Sequence, residues 1–151
     1  PPLLDDLGLV VAIEKYLDTY RQTQPGLTVI FHHDGDISRV SRPVALFCYR
    51  MVQEGLTNIA RHAQAHTVTI GLHVLPSKLT LSVRDDGIGF SADRAERARL
   101  DNHLGLVSMR ERTDVLNGTF AIDSHPGKGT TLTISLPLYL SEEEEHEHSL
   151  G

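Results

Sequence analysis

The sequence has no tryptophan and one cysteine, only 5% of its residues are aromatic, and no apolar run approaches the ~20 residues that cross a bilayer. Each shortage removes a class of protein. A lone thiol, Cys48, cannot close an internal disulfide, and it sits in an apolar helical run, which fits a packing role and a reducing compartment. Scarce aromatics and a formal charge of −6 exclude a nucleic-acid reader built on a basic stripe or a stacking platform. Any anion bound here must therefore be met locally, by a few cations or by free backbone N–H groups. No basic-then-apolar leader opens the chain. It begins Pro1-Pro2-Leu3-Leu4-Asp5-Asp6, without an initiator methionine, and reads as a cytoplasmic fragment with no direct membrane contact.

What is present fits one domain, since 151 residues suffice to bury a core without metal or disulfide staples. Leu9, Val10, Ile13 and Leu17 recur at helical spacing and predict a first helix from Leu7 to about Gln22, with Asp5 and Asp6 as start signals. Pro25-Gly26 ends it. Leu27, Val29 and Phe31 then alternate with Thr28, Ile30 and His32 as a strand up to Asp34-Gly35. A long helix follows from Pro43 to about Ala63, with Ala45, Cys48, Val52, Leu56, Ile59 and Ala63 as its core face. Thr67 to Val74 and Leu79 to Arg84 read as a hairpin around Pro76-Ser77. After Asp86 the apolar pattern dissolves, and a mobile loop rich in Arg and Glu is expected as far as Asn102-His103. Leu104 to Leu116 is again helical, Asn117-Gly118 stops it, and Thr119 to Asp123 and Thr130 to Leu136 close the pattern as two strands. Paired strands separated by single helices predict an α+β sandwich, with one mixed sheet and helices on one face. Glu142 to Glu145, His146, Glu147 and His148 form a like-charge run expected to be a solvated tail.

Four segments carry chemistry. Arg50, Glu54, Asn58 and His62 fall four apart and make one polar stripe on the long helix. Asn58 offers an uncharged oxygen suited to a hard cation such as Mg²⁺, and Arg61 beside it suits phosphate. Asp85-Asp86-Gly87-Ile88-Gly89-Phe90 follows a strand, so a carboxylate there can accept a hydrogen bond from an exocyclic amine while glycines let backbone approach a ligand. His103-Leu104-Gly105-Leu106 opens a helix whose free N–H groups favour phosphate oxygens. Gly127-Lys128-Gly129-Thr130 joins the last two strands. Taken singly, each has an ordinary explanation as a solvated helix face, a tight turn, a helix start or a hairpin. Two familiar phosphate motifs are absent. Ile122 and Gly129 stand where a Walker A loop needs Gly and Ser or Thr, and no regular helix pattern opens after Phe90 as a Rossmann fingerprint requires.

In order and spacing, Glu54 to Ala63, Asp85 to Phe90, His103 to Arg112 and Gly127 to Thr130 resemble the N, G1, G2 and final glycine boxes of the histidine-kinase, gyrase, Hsp90 and MutL ATPase superfamily. The resemblance runs from Asp5 to Pro137. Leu4-Asp5-Asp6-Leu7-Gly8-Leu9 and the short G2 helix are similar to the nitrate-sensor-like and DesK-like histidine kinases that work with LuxR-type response regulators. That implies a two-layer Bergerat fold of about five strands with an ATP lid, over residues 1–138, where 1–9 resemble the linker from dimerisation helices and 139–151 form the tail. It also implies ATP and Mg²⁺ as cofactors. By analogy Asn58 holds Mg²⁺, Glu54 acts on it through water or positions the nucleophile, and Asp85 takes the adenine amine. Gly87 and Gly89 floor the pocket, Arg61 and His62 meet phosphates, His103, Gly105 and Leu106 form the lid contact, and Gly129 and Thr130 close the adenine side. Asp86 stands where the family often has Asn. The implied reaction passes the γ-phosphoryl of ATP to a histidine on a dimerisation domain outside this chain, for relay to a response regulator. A stand-alone ATPase, a serine kinase of the anti-sigma type and a degenerate interaction module remain open, to be separated by what precedes Pro1.

Overall fold

Alternating Val, Ile, Leu and Phe positions pair into a single mixed sheet in the computed structural model, which describes residues 2–91 and 93–139, with 95 and 96 in their backbone only. The strands are β1 (Thr28–Gly35), β2 (Thr67–Val74), β3 (Lys78–Asp85), β4 (Thr119–His125) and β5 (Gly129–Pro137). Their order is β1-β2-β3-β5-β4; only β1 and β2 run parallel, joined by the long helix, and the other neighbours are antiparallel. The α+β sandwich expected from the element pattern is what forms.

The helices are α1 (Pro2–Leu7), α2 (Leu9–Thr23), α3 (Arg42–Asn58), α4 (Arg94–His103) and α5 (Leu106–Val115). Buried Leu9, Ile13 and Leu17 of α2 and Met51, Val52 and Leu56 of α3 share one core with Ile70, Leu72, Leu79, Leu81, Ile134 and Leu136 of the sheet. Each such side chain contributes roughly 1.5–3 kcal/mol by leaving water. Cys48 is fully buried among them, and burial pushes its thiol up to about 12, so it packs rather than reacts. On α3 the core face is wider than the sequence suggests: Phe47, Met51 and Gly55 are buried too, while Ala45 and Ala63 are only partly covered.

Two segments differ from expectation. The first helix is broken at Gly8, whose φ of 85° no helix continues through, and Asp5 does not start it. Instead α1 docks the leader onto the domain: Leu4 is buried in the core, and the Asp5 carboxylate accepts from Arg42 Nε and Nη2 at 2.6 and 3.2 Å. Arg42 holds the Asp5 carboxyl below its usual range. The expected mobile loop contains α4. Its Ala, Arg, Glu and Leu residues are strong helix formers, and it escapes a search for apolar periodicity because few of its side chains face the core. The tail beyond Tyr139 lies outside the described residues. Among the described residues no helix is long and apolar enough to cross a membrane.

At the foot of α3 the chain winds into a π turn, Ile59–Ala63, and then stops at Gln64 in the left-handed region. The Tyr20 hydroxyl of α2 donates to the Leu56 carbonyl at 2.9 Å just above that turn, and burial pushes its pKa up to about 12. Tyr20→Phe is expected to lower stability by about 1 kcal/mol with an unchanged denaturant slope in urea unfolding; an unchanged midpoint would mean the bond adds nothing.

Candidate functional site

The widened π turn decides which residues of the polar stripe share a wall. A π turn advances fewer degrees per residue than an α-helix, so His62 stays in line below Asn58 while Arg61, one residue earlier, swings aside. Asn58 and His62 line a cavity of about 260 Å³ between α3, the strand ends of the sheet and α4. Arg61 lines a separate cleft of about 540 Å³ with Pro25, Gly26 and Gln64. Expected beside the phosphates, Arg61 thus does not share the cavity lining with Asn58 and His62. Glu54 is exposed one turn above Asn58 and outside the cavity lining.

Opposite α3, β3 ends in Asp85, a carboxylate only 6% exposed on the cavity wall. Burial raises its pKa, an effect partly offset by the Gly87 N–H, 2.8 Å from Oδ1, and by the Thr130 backbone. The loop after it is pressed between two other backbones. A Cβ on Gly87 would stand 2.1 Å from the Ala63 carbonyl oxygen, one on Gly89 2.1 Å from that of His125, and one on Gly129 2.0 Å from that of Asp85. Gly89 and Gly129 also hold φ of 60° and 78°. Backbone bonds from Ile88 N to Ala63 O (2.8 Å) and from Gly127 N to Ile88 O (2.7 Å) fasten the loop on both sides. Gly87 and Gly129 thus buttress the site, whereas Gly89 lines it.

Ser124, buried on the inward side of β4, completes the fastening. Its Oγ accepts from the Phe90 N–H at 2.9 Å, lies 3.2 Å from the Gly129 carbonyl and is 2.7 Å from the Thr130 hydroxyl, which itself faces the cavity. The cavity walls are otherwise apolar, with Ile59, Val83, Ile88, Ile122 and Leu132 among them, a surface fit for a flat heteroaromatic ring. The open side is covered by α4 and the start of α5, through Arg99, Leu100, Leu104 and Leu106. Asn58 Nδ2 donates to the Leu104 carbonyl at 2.9 Å, tying this cover to α3 and leaving the amide oxygen as the acceptor atom. The cover is also held by Arg97 over the Phe90 ring at 5.7 Å and by Arg110 at 3.6 Å from Asp101. His103 does not line the cavity; its ring meets His62 edge-on at 4.7 Å, and burial, His103 and Arg61 lower the His62 pKa. Gly105, at φ 71°, caps α5 with open space around it.

Two lining or bracing residues were not singled out in the sequence. Arg99 was hidden in the pattern-free segment, and only its helical spacing to His103 could have marked it. Ser124 had a signal: a polar residue in the inward register set by Phe120 and Ile122. Among the described residues no group of three or more His, Cys, Asp or Glu side chains is placed to hold a metal ion.

A buried carboxylate under glycine-framed backbone, apolar walls, and an amide oxygen and a guanidinium at the mouth make this a nucleotide-binding domain. The family described as "Histidine kinase-, DNA gyrase B-, and HSP90-like ATPase" matches residues 44–140. The chain belongs to that family. It is 37% identical over 92% of its length to the signal transduction histidine-protein kinase/phosphatase DegS of Brevibacillus brevis, covering 35% of that protein. It is 33% identical over 97% of its length to the sensor histidine kinase LiaS of Bacillus subtilis, covering 39% of it, and 33% over 91% to the oxygen sensor histidine kinase NreB of Staphylococcus carnosus, again covering 39%. The chain thus spans little more than a third of these relatives. A blue-light activated histidine kinase of Erythrobacter litoralis shares the fold, with a TM-score of 0.67 at 22% identity over 86% of this chain and 42% of that one.

Asp86, next to Asp85, has the opposite environment. It is exposed, and its Oδ1 accepts from the His66 and Thr67 N–H groups at 2.8 and 2.9 Å, which lowers its pKa and fixes the entry to β2. A lowered carboxylate pKa adds stability above the unfolded value of about 3.9 and loses it as pH falls through the folded one. Asp86→Ala is therefore expected to be destabilised at pH 7, by about 1 kcal/mol given the exposure. Its deficit should shrink below pH ~4, as read from thermal melts across pH 3–7. A deficit independent of pH would remove the clamp.

Proposed function

We propose that the cavity holds ATP with its adenine amine donating to Asp85, its ring between Ile59, Val83, Ile88 and Leu132, and its triphosphate leaving toward Asn58, His62 and Arg99. The observation that carries this reading is the buried, acceptor-ready Asp85 at the end of a cavity otherwise lined by apolar side chains. A charge-assisted bond to an amine contributes on the order of 1.5–3 kcal/mol and disfavours a base that presents a carbonyl there. Thr130 and Ser124 steady the same edge, while Gly87, Gly89 and Gly129 keep the loop close enough for the base to reach the carboxylate. His103 acts through His62, Gly105 lets the cover approach phosphate, and Leu106 shields the site from water.

The residues at the mouth fit Mg²⁺. Asn58 has its amide nitrogen engaged and its uncharged oxygen available, which suits a hard cation that keeps waters and phosphate oxygens as its other ligands. Bound there, Mg²⁺ neutralises phosphate charge. Glu54, one turn away and exposed, serves by orienting metal-bound water or the incoming nucleophile, not as a direct ligand. Arg99 takes the phosphate-facing role that Arg61 is too far round the helix to fill.

In the whole protein, this cytoplasmic domain donates the γ-phosphoryl to a histidine on a dimerisation domain outside the chain, for relay to a response regulator, of the LuxR type in the nitrate-sensor-like group. Catalysis of this kind rests on alignment and charge neutralisation. Residues 1–138 form the unit, with 1–9 leading in from the dimerising helices.

Calorimetric titration tests the nucleotide reading. ATP is expected to bind the chain between roughly micromolar and millimolar, more tightly than GTP, and Asp85→Asn is expected to weaken ATP at least tenfold, about 1.4 kcal/mol. GTP binding as tightly as ATP, or an unaffected variant, would overturn the assignment of Asp85; a folded chain that binds neither would point to an interaction module. Incubated with radiolabelled ATP, the chain alone should take up no stoichiometric label, and addition of a histidine-bearing dimerisation domain should restore transfer. Robust labelling of the isolated chain would defeat the division of labour.

A further inference from the structure

The cover over the cavity is fastened at its two ends by contacts of different strength. Near the start of α4, Arg97 lies over the Phe90 ring at 5.7 Å and reaches the Ile122 carbonyl only at 3.5 Å. At the other end Asn58 Nδ2 donates to the Leu104 carbonyl at 2.9 Å, joining residues 46 apart in the chain. Leu104 is the joint of the cover. Helix α4 ends at His103, α5 begins at Leu106, and Gly105 between them turns through a φ of 71°. Holding the Leu104 carbonyl therefore fixes the pivot from which α4 lies over the cavity, with Arg99 just over one helical turn back on its lining.

The residue that makes this tie also faces the ligand with its other end. A carboxamide has an oxygen that only accepts and a nitrogen that only donates. A carbonyl must be met by the nitrogen, so the bond to Leu104 dictates that Oδ1 is the end left for a cation. The two ends are electronically joined. Electron density drawn from the oxygen leaves the N–H groups more positive and makes them better donors, a cooperative strengthening. A carboxylate could not serve both ends, because it would hold a cation but set a second acceptor against the Leu104 carbonyl.

We propose that Asn58 is a positioning residue as well as a cation ligand: a cation on Oδ1 tightens Nδ2 on Leu104, and the firmer joint seats Arg99 over the triphosphate. This rests on the Mg-ATP reading above and adds the form of ligand that the cover recognises, the cation-bound nucleotide and not the bare one. The effect is mutual. By whatever factor the cation favours docking of α4, docked α4 favours the cation.

Hydrogen–deuterium exchange of the full chain, followed at the backbone amides of residues 97–104, tests this. Without nucleotide, Asn58→Asp and Asn58→Ala should each speed exchange there on the order of fivefold, the effect of losing one hydrogen bond, while the amides of β2 and β3 exchange as in the parent. In the parent, ATP with Mg²⁺ should slow exchange in α4 further than ATP with EDTA. In Asn58→Asp, Mg²⁺ should still tighten ATP in calorimetry yet add no protection to α4. If Asn58→Asp does not fold, Asn58→Ala and the Mg²⁺ dependence of the parent decide the matter. The positioning role is overturned if α4 exchanges alike in the free parent and the free variants, if Mg²⁺ adds no protection in the parent, or if it protects Asn58→Asp equally. The first comparison uses no ligand, so its failure is distinct from failure of the ATP reading, which shows as a parent chain that binds no ATP; the coupling then falls, while faster α4 exchange in the variants retains the tie.

Discussion

The site depends on three places where one backbone presses on another with no room for a side chain. Gly87 rests on the Ala63 carbonyl, Gly89 on that of His125, and Gly129 on that of Asp85. These contacts join elements far apart in sequence: the π turn ending α3, the loop after β3, and the β4–β5 hairpin. Asp85 is thereby carried into a wall of aliphatic side chains at the junction of all three. Any larger residue at the glycines would push the strands apart and open the wall to water, which is why the loop's composition and the carboxylate's burial belong to one argument.

Charge is then divided by environment, not by residue type. Asp85 and Asp86 are adjacent and chemically identical. Strand alternation turns the first inward, where desolvation raises its pKa, and the second outward onto two backbone N–H groups, which lower it. One is left with acceptor capacity to spare for a ligand, while the other spends its capacity on the fold. The same division separates Asn58 and His62 from Arg61, since a change of helical pitch sends neighbours to two different clefts.

Much of the fold was legible because most of its elements have one buried and one wet face. The alternation in Thr67 to Val74, Leu79 to Arg84 and Thr130 to Leu136 and the helical spacing around Val52 and Leu56 follow directly from that asymmetry, and so did the α+β class. Where a segment lacks it, the reading failed. Helix α4 covers the cavity while leaving much of its surface in water, so its residues show helix propensity without apolar period. Gly8 broke a helix that the spacing of Leu9, Ile13 and Leu17 extended two residues too far, because that spacing says nothing about a positive φ just before it.

By itself the sequence determined the element order, the residue types that can accept an amine, hold a hard cation or meet phosphate, and the glycines that make close approach possible. These are properties of single residues and of local periodicity. Only the tertiary structure decided which of them share a cavity. It brought Asp85, Thr130, Asn58 and His62 to one wall and added Arg99 and Ser124. It sent Arg61 to another cleft and set His103 behind His62. Those outcomes follow from strand register, from the pitch of one helical turn and from the docking of α4, and each joins positions whose separation along the chain no local pattern records.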